Sequence, residues 1–492
     1  MIAFRNVSFQ YDGKREYALK KINLTIHKGE TILLLGKSGS GKSTLLSAIN
    51  GIIPNHLAGT LSGQVSLNGE ELSSTGIQEL SKQVGSVFQN PKSQFFNINT
   101  TDELLFGLMN HRESPERMKE RLAATTAGLN MENLLNREIF HLSGGEKQKV
   151  ACAAVYMTDT DIVLFDEPSS NLDADAIEDL REVIDQLKKE GKTILIAEHR
   201  VYYLMSFVDR IVYMDYGEIK KIMTTKELTD LSEKEREAMG IRSLVAPVLH
   251  DKLRERHFEI GGPRKADLYI NNFSYAYKHG EVLWHIPECQ CTKGEIIGIM
   301  GRNGVGKTTL AYAICGILKG KGEIKRSPSG KSIKARQRRR CCSMVMQDVN
   351  HQLFLDTVWK ELLFLSQEDA DWAKAKRIAE ELDLSAYLEA HPLSLSGGQK
   401  QRVVIASALM DGKEIIIFDE PTSGLDLDSM NKVATQVQRI ANGRIIFVIS
   451  HDIEFINKIC TRILFLSGHP VKDETKNERF RDDRHHGALP VL

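Results

Sequence analysis

Short apolar runs alternate with helix-spaced apolar positions along this chain, and the same alternation occurs twice. Uninterrupted apolar runs are typical of the central strands of a parallel sheet, because both faces of such a strand are covered. Alternation of these runs with helices predicts an α/β sheet in each half. The runs lie at 31–35, 162–165 and 193–197 in the first half and at 296–300, 415–418 and 445–449 in the second.

Two further patterns also occur in both halves. A β-rich segment opens each half, at residues 3–9 and 268–274, and helix-forming segments such as 115–122 and 373–382 interrupt the α/β pattern. We therefore predict two units, each with a β-rich N-terminal subdomain and an inserted helical subdomain. The motif order repeats with a slowly drifting offset, which favours one duplicated domain over a short-period solenoid.

The predicted domain limits follow from this repeat. The first unit covers residues 1–222 and the second covers 266–470, with a charged linker at 223–265. Within the linker, Ser232 and Glu235 form a capping-box pattern that predicts a polar helix ending at Gly240. Residues 471–492 are charged and lack apolar periodicity, so we predict a mobile tail.

Composition excludes few classes of function. The 492 residues contain 65 Lys plus Arg and 65 Asp plus Glu, so nothing favours bulk electrostatic binding of nucleic acid or anionic lipid. No apolar run approaches the ~20 residues that cross a bilayer, and the N-terminus lacks a signal-peptide layout, so we expect a cytosolic protein unless a partner holds it at a membrane. Cys289 and Cys291 would share a strand face, but reduced thiols used as apolar residues are favoured over a metal clip.

A glycine-rich loop follows the first apolar run of each half. Residues 36–43 and 301–308 both match the phosphate-binding pattern Gly-x-x-x-x-Gly-Lys-Ser/Thr. Glycines let backbone N–H groups approach phosphate oxygens, and the helix that follows adds positive potential. The lysines would reach the β- and γ-phosphates, and the hydroxyls would meet Mg²⁺. These side chains are Lys42, Ser43, Lys307 and Thr308.

An acidic pair ends a short apolar run in each half, as Asp166–Glu167 and Asp419–Glu420. Ligands of open α/β sheets sit at the carboxyl ends of strands. The two aspartates suit the Mg²⁺ shell, and the two glutamates are placed to polarise an attacking water as general bases.

The segments Leu-Ser-Gly-Gly-x-Lys-Gln at 142–148 and 395–401 each precede an acidic pair at the same spacing. A serine at an N-cap followed by two glycines and a helix makes a second anion-binding helix start.

In this order the motifs resemble those of the ATP-binding cassette (ABC) ATPases: Walker A, Q-loop, signature, Walker B, D-loop and H-loop. The resemblance covers nearly the whole chain apart from the linker and tail. It implies two tandem P-loop NTPase domains that use ATP and Mg²⁺ and hydrolyse ATP. It also implies that the two cassettes form an intramolecular head-to-tail dimer, in which Lys42 faces Ser396 and Lys307 faces Ser143 across the two ATP molecules.

The resemblance also assigns a role to individual residues. Glu167 and Glu420 would be the catalytic bases, and His199 and His451 the switch histidines. The tyrosines would stack on adenine, the glutamines would belong to the Q-loops, and Asp173 and Asp426 would end the D-loops. The residues expected to contact nucleotide are Tyr11, Gly36, Ser38, Gly39, Gly41, Lys42, Ser43, Thr44, Gln89, Ser143, Gly144, Gly145, Tyr277, Gly301, Asn303, Gly304, Gly306, Lys307, Thr308, Thr309, Gln347, Ser396, Gly397 and Gly398. Those expected to hold Mg²⁺ are Ser43, Gln89, Asp166, Thr308, Gln347 and Asp419.

The chain departs from the family pattern at two positions. Glu146 stands where the signature usually has glutamine, and Asn171 replaces a glycine before the first D-loop. Neither removes a catalytic group, so we predict two hydrolytic sites.

The segments after the Q-loop glutamines suggest a subclass. Gln94 and Gln352 each follow five positions later, which is similar to the ATPases of energy-coupling factor importers. The sequence Ala-Glu-His-Arg around His199 is similar to the fused members of that group. This similarity implies partners of two kinds, a transmembrane scaffold and a substrate-binding membrane subunit, at the cytoplasmic face of the membrane. The implied cargo is a vitamin, a vitamin precursor or a transition-metal ion.

Three alternatives remain from the sequence. A fused monosaccharide-importer ATPase has similar length but usually carries one degenerate half. A soluble cassette factor acting on the ribosome would be expected to have a longer, basic arm between the cassettes. A DNA-repair cassette would want a coiled-coil or zinc insertion; the basic run at 331–340 is the best argument for nucleic acid, and a solvated loop explains it more simply.

Overall fold

The computed structural model of the chain describes residues 1–72, 75–170, 172–255, 266–276, 282–364 and 369–466. Within them, each half contains one antiparallel sheet and one mainly parallel sheet, with helices beside the sheets, so the predicted α/β architecture is confirmed. The predicted tail, and the linker residues 256–265, lie outside the described residues.

The strands of the first half are β1 (Ile2–Tyr11), β2 (Leu19–Ile26), β3 (Thr31–Leu35), β4 (Gly59–Leu67), β5 (Glu70–Glu71), β6 (Val84–Val87), β7 (Ile162–Asp166), β8 (Thr193–Ala197), β9 (Arg210–Asp215) and β10 (Glu218–Met223). Its helices are α1 (Lys42–Ile49), α2 (Ile52–Asn55), α3 (Ile77–Leu80), α4 (Thr100–Asn110), α5 (Pro115–Gly128), α6 (Gly144–Met157) and α7 (Ala174–Lys189). Short 3₁₀ turns lie at Pro91–Ser93, Glu132–Leu134 and Ile139–His141.

The linker contains α8 (Thr225–Asp230), α9 (Glu233–Ala238) and α10 (Asp251–Glu255). The strands of the second half are β11 (Leu268–Ala276), β12 (Val282–Cys291), β13 (Ile296–Met300), β14 (Lys321–Lys325), β15 (Cys342–Val345), β16 (Ile415–Asp419), β17 (Ile445–Ile449) and β18 (Arg462–Phe465). Its helices are α11 (Lys307–Cys315), α12 (Ala335–Cys341), α13 (Val358–Leu363), α14 (Asp369–Glu381), α15 (Gly397–Met410), α16 (Leu427–Ala441) and α17 (Ile453–Ile459). Its 3₁₀ turns are Val349–Gln352, Ser385–Tyr387 and Pro392–Ser394.

The two main sheets share one strand order. The first runs β10-β9-β3-β8-β7-β6, and the second, read from its far edge, runs β18-β13-β17-β16-β15. Pairing is parallel throughout except between β9 and β10. In each sheet the strand entering the glycine loop (β3, β13) therefore lies next to the strand ending before the histidine (β8, β17). The strand that leads into the acidic pair (β7, β16) lies on the other side of the strand before the histidine. The loops that follow these three strands therefore meet at one edge of each sheet.

Helical segments fill the stretches where sequence periodicity predicted an insert. In the first half α4 and α5 pack on α6, and in the second α13 and α14 pack on α15. Each first helix carries one buried acidic residue, Glu103 (4% exposed) and Glu361 (6% exposed), whose carboxylates are used below.

The linker packs on both halves. Ser232 caps α9 as its sequence predicted, and the Glu235 carboxylate accepts a hydrogen bond from the Ser232 amide. Ile241 is buried in the core of the first half, whereas Leu249 and Leu253 are buried in the core of the second. The linker therefore contacts both units through buried side chains.

The cysteines are free thiols. Cys289 and Cys291 share a face of β12 with their Sγ atoms 3.8 Å apart, and both are buried. The part of the chain that the structure describes contains no group of three or more His, Cys, Asp or Glu side chains that could hold a metal ion. In that same part, no helix is both long enough and apolar enough to span a membrane.

Candidate active sites

Glycines shape both Walker A loops. Gly41 and Gly306, at the N-caps of α1 and α11, have φ values of 101° and 95°, a region that favours glycine. A Cβ on Gly41 would lie 2.5 Å from the Ala18 carbonyl oxygen. Around Gly39 and Gly304, in contrast, no atom lies within 4 Å of an added Cβ. Each loop is thus tight against the protein at its end and open at its middle, which suits a phosphate chain.

The Walker A lysines are buried and fold back onto their own loops. The Nζ of Lys42 donates to the Gly36 carbonyl at 2.8 Å, and the Nζ of Lys307 donates to the Gly301 carbonyl at 2.8 Å. Burial lowers the pKa of both lysines, although nearby carboxylates partly oppose the shift. A phosphate oxygen would supply the negative partner that these buried ammonium groups lack in neutral carbonyls.

Each loop hydroxyl meets the Walker B aspartate. The Oγ of Ser43 donates to Asp166 at 2.8 Å, and the Oγ1 of Thr308 donates to Asp419 at 2.7 Å. Burial raises the pKa of each aspartate to about 6. A divalent cation would relieve that cost, and Mg²⁺ is usually held by one or two protein oxygens together with substrate phosphates. The two pairs therefore fit Mg²⁺ delivered with ATP.

The carboxylate of the first predicted base, Glu167, accepts a hydrogen bond in the first site. Its backbone has a φ of 45°, which is uncommon for a residue other than glycine and occurs often at functional sites. Its Oε2 accepts from the Nε2 of Gln89 at 2.5 Å, and its Oε1 lies 3.4 Å from the Nε2 of His199. The residues predicted to be the Q-loop glutamine, the base and the switch histidine therefore lie together.

The second base, Glu420, has the same backbone conformation with a φ of 51°. Its Oε2 lies 3.3 Å from both the Ser450 hydroxyl and the His451 amide. Burial, together with the Asp419 charge, raises the pKa of Glu420 to about 7. The second base is thus more easily protonated near neutral pH than an exposed carboxyl.

The predicted second switch histidine, His451, contacts the Walker A loop of the same half. The Nε2 of His451 lies 2.9 Å from the Oδ1 of Asn303 in the Walker A loop and 3.7 Å from Glu420. Burial, followed by the Lys307 charge, lowers the pKa of His451 to about 3, so the imidazole is neutral. Among the described residues, Glu420 Oε1 and Asn303 Nδ2 are buried atoms with no hydrogen-bond partner. An attacking water and a γ-phosphate oxygen are the partners that these two atoms fit.

The signature serines cap their own helices. The Oγ of Ser143 accepts from the Glu146 amide, and Ser396 accepts from the Gln399 amide, so each forms a capping box. Glu146 takes the role of the usual glutamine and adds an ion pair with Arg137 at 2.8 Å. The departure at Glu146 is therefore accommodated, whereas Asn171 lies outside the described residues.

The D-loop aspartates connect the two halves reciprocally. Asp426 caps α16 and accepts the amide of Ser38, in the first Walker A loop, at 2.6 Å. Asp173 caps α7 and accepts the amide of Asn303, in the second Walker A loop, at 2.9 Å. These two contacts are therefore related to each other by the internal repeat.

Two further contacts repeat this reciprocity. Lys37 pairs with Asp428 at 2.6 Å, and Arg302 pairs with Asp175 at 3.5 Å. All four side chains are at least one-third exposed, so each pair contributes about 0–1 kcal/mol, and orientation matters more here than strength.

A glycine of the second half reaches the first site. Gly424, with a φ of 67°, lies so close that an added Cβ would be 2.6 Å from Gln89 Nε2 and 2.9 Å from Glu167 Oε2. The first base is therefore flanked by backbone from the opposite half.

Other residues were also predicted from the sequence to contact nucleotide. The hydroxyl of Tyr11 lies 3.0 Å from the Oγ1 of Thr44, which brings this tyrosine to the start of α1. Thr309 lies on α11, and Gln347 follows β15 beside the acidic strand β16. Tyr277, predicted to stack on adenine in the second site, lies outside the described residues.

Sequence reasoning missed the residues beside the first switch histidine. Glu198 is buried, and its carboxylate accepts the amides of Ser169 and His199 at 3.1 and 2.7 Å and the Tyr203 hydroxyl at 2.8 Å. Arg200 is also buried and donates to carbonyls after the acidic pair. Charged residues on both sides of His199 were the available signal.

The paired pockets on a duplicated α/β fold define a two-cassette nucleotide-binding protein. The chain matches the family described as ABC transporter over residues 19–170 and 286–423. A Treponema denticola protein described as an ABC transporter ATP-binding protein is 44% identical over 485 residues, covering 97% of this chain and 98% of that protein. A Clostridium perfringens protein of the same description is 32% identical over 523 residues, covering 98% of this chain and 92% of that protein.

The chain therefore belongs to the ABC transporter family of ATP-binding proteins, and it is an ATPase with a duplicated cassette. A solved structure of the archaeal ribosome recycling factor aABCE1 in complex with the stalk protein aP1 has a TM-score of 0.62 at 22% identity. That match covers 94% of this chain and 88% of that one, and it shows a shared two-cassette fold alone.

Proposed function

We propose that the chain is the ATP-hydrolysing motor subunit of an energy-coupling factor type importer, bound to a membrane scaffold at the cytoplasmic face. In this proposal two ATP molecules, each with Mg²⁺, bind between the cassettes. Hydrolysis removes contacts to the γ-phosphate and lets the halves separate. The scaffold converts that motion into uptake of a vitamin, a vitamin precursor or a transition-metal ion.

The proposed residue roles rest on the pocket geometry. Lys42 and Lys307 would bind the phosphates, and the hydroxyl–aspartate pairs would hold Mg²⁺, which supplies charge neutralisation at the phosphates. Glu167 and Glu420 would accept a proton from the attacking water.

Composite sites are supported by the D-loop contacts. Asp173 and Asp426 each bind a backbone amide in the opposite Walker A loop. That register would direct Ser143 toward the second Walker A loop and Ser396 toward the first, so each ATP would be bound by both halves.

One observation carries the proposal of a membrane partner: each half exposes a large aromatic residue immediately after its Q-loop. Phe96 and Phe354 occupy equivalent positions and are 76% and 77% exposed. Phe96 stacks on Phe106 with ring centroids 5.0 Å apart. The recurrence of an exposed aromatic residue at the same place in both copies supports a protein-binding site there.

Buried carboxylates hold these aromatics outward. Glu103 accepts the amide of Phe96 at 3.0 Å, and Glu361 accepts the amides of Phe354 and Leu355, the latter at 2.6 Å. Burying a carboxylate is costly unless it is hydrogen-bonded, and the amides of this segment supply those hydrogen bonds in each half. We define these segments, 94–98 and 352–356, as the two docking segments. Each follows a Q-loop glutamine that would touch Mg²⁺ and sense the membrane partner.

Copurification from native membranes tests the proposal. We expect the wild-type chain to recover an integral membrane scaffold and a second membrane protein, and the double variant Phe96→Asp/Phe354→Asp to lose both while retaining ATPase activity. Tyr216→Asp is the matched control, because Tyr216 is 75% exposed on the turn between β9 and β10. Recovery of ribosomes without a membrane protein, or equal recovery by the docking-segment variant, would contradict the proposal.

A further inference from the structure

A linker arginine is buried between two carboxylates of the second half. Arg242 is 3% exposed, and its Nη2 lies 2.5 Å from Asp452 Oδ1 and 2.6 Å from Glu454 Oε2. The same guanidinium lies 3.3 Å from the sulfur of Met430. Buried ion pairs such as this one fix geometry, because removing one partner leaves an uncompensated charge.

Asp452 directly follows His451, the proposed second switch histidine. Its carboxylate caps α17 by accepting the Phe455 amide at 3.3 Å, and its other oxygen accepts the Thr422 hydroxyl at 3.0 Å. Thr422 lies two residues after the proposed base. Asp452 therefore connects the histidine loop with the loop that follows the acidic strand.

A hydrogen-bond path continues from Asp452 to the base. The Asp452 amide donates to Ser450 Oγ at 3.1 Å, and that hydroxyl donates to Glu420 Oε2 at 3.3 Å. Arg242 is thus connected to the carboxylate of Glu420 through Asp452 and Ser450, the residues on each side of His451.

The first half is built differently at this place. Arg200 occupies the position equivalent to Asp452 and donates to the carbonyls of Ser169 and Leu172 at 3.4 and 3.3 Å. The first histidine loop therefore carries its own cation. Burial would raise the pKa of Asp452, but the charges of Arg242 and Arg200 outweigh it, and the Asp452 pKa is low. Both cations come from outside the second half.

We infer that Arg242 is a positioning residue for His451 and Glu420, through which the linker holds the second ATP site in its hydrolytic geometry. The inference rests on the proposed roles of those two residues. It implies that the second site depends on a contact supplied by the chain that leaves the first cassette, and that the first site has no such dependence.

A double-mutant cycle tests this coupling. We expect Arg242→Met to lower kcat roughly tenfold with the KM for ATP changed less than about twofold, because the variant disturbs positioning and not nucleotide binding. Asp452→Asn should have a similar effect. The double variant Arg242→Met/Asp452→Asn should be no slower than either single variant, and Arg242→Lys should be intermediate.

Site-specific trapping locates the effect. A photoreactive ATP analogue trapped with vanadate labels the peptides around Lys42 and Lys307 in the wild-type chain. Arg242→Met should reduce labelling of the Lys307 peptide and spare the Lys42 peptide. No trapped label in either wild-type half would contradict the proposed function itself. Trapping in the wild-type chain with equal loss, or no loss, in both halves of Arg242→Met would overturn only the inference about Arg242.

Two controls separate positioning from folding. Glu454→Gln removes a partner of the same guanidinium but leaves the path through Asp452, so it should lower Tm without lowering kcat. Arg236→Met changes another linker arginine, whose guanidinium binds the carbonyls of Thr229 and Leu231 within the linker, and should change neither. If Glu454→Gln lowers kcat as much as Arg242→Met does, the guanidinium serves only stability and the inference is wrong.

Discussion

The two cassettes agree in the residues that would touch ATP and differ in the residues behind them. Both have a buried Walker A lysine, a hydroxyl–aspartate pair and a base at positive φ. Behind the base, however, the first site has Glu198 and Arg200, where the second has Ser450 and Asp452. The side chains behind the base therefore differ in charge between the two halves, whereas the residues that would touch ATP are of the same kind.

The consequence is a difference in how each base is held. Glu167 is bound by the Gln89 amide, whereas Glu420 is buried with a pKa raised to about 7. Duplicated sites with equal chemistry can thus turn over unequally, because the surroundings set the protonation and position of the base.

The largest effect is expected from removing each base. Glu167→Gln and Glu420→Gln should each slow steady-state ATP hydrolysis roughly 100-fold or more. An amide cannot accept the proton of the attacking water, and in the proposed cycle the halves separate only after hydrolysis at both sites. Glu233→Gln, on an exposed face of α9, is the control. A single variant that retains the wild-type rate would show that its site is not hydrolytic.

The next effect tests whether the second half supports the first site. Gly424→Ala should slow hydrolysis roughly tenfold, because the new methyl group would displace Gln89 and Glu167. Gly412→Ala is matched, since Gly412 has a φ of 64° and open space around its Cβ position. Equal rates for the two variants would mean that backbone strain, and not the contact, is responsible.

A pH profile sharpens the difference between the bases. In the Glu167→Gln protein, whose remaining activity comes from the second site, kcat/KM should fall about tenfold per pH unit below about 7. The sign follows from the raised pKa of Glu420, since below it the carboxyl is protonated and cannot act as a base. The Glu420→Gln protein measured over the same range gives the comparison. A flat profile between pH 6 and 8 in Glu167→Gln would contradict this assignment.

The smallest effect is on stability without nucleotide. The pKa of Asp419 is raised to about 6, so its ionisation costs nothing below about pH 4, costs progressively more between 4 and 6, and reaches its full cost above 6. Asp419→Asn should therefore raise Tm by a few degrees at pH 8 and by about half as much at pH 5. The exposed Asp230→Asn is the control, and an equal shift at both pH values would contradict the ionisation argument.

The sequence predicted the fold and the residues of the pockets, because both depend on local pattern. Apolar runs specify buried strands, and the loop at 36–43 needs its glycines wherever it folds. The parallel strand order then brings Glu167 and His199 together without further information from the sequence.

The supporting contacts could not be predicted in the same way. Arg242 is one of many charged residues in a polar linker, and only the folded chain places it beside Asp452, far along the sequence. The burial of Glu103 and Glu361 likewise depends on how the helical insert packs, since acidic residues near a helix start usually face solvent.

The docking segments are similar but not identical, and this has a consequence for assembly. Phe96 and Phe354 match, yet two positions further the first segment carries Ile98 and the second carries Asp356. A partner with two different contact elements would therefore bind this surface preferentially in one orientation. Since both segments belong to a single polypeptide, their ratio is always one to one. The orientation of the partner on this surface would therefore be set by the sequence of one chain, and it would not depend on the relative amounts of two separate subunits.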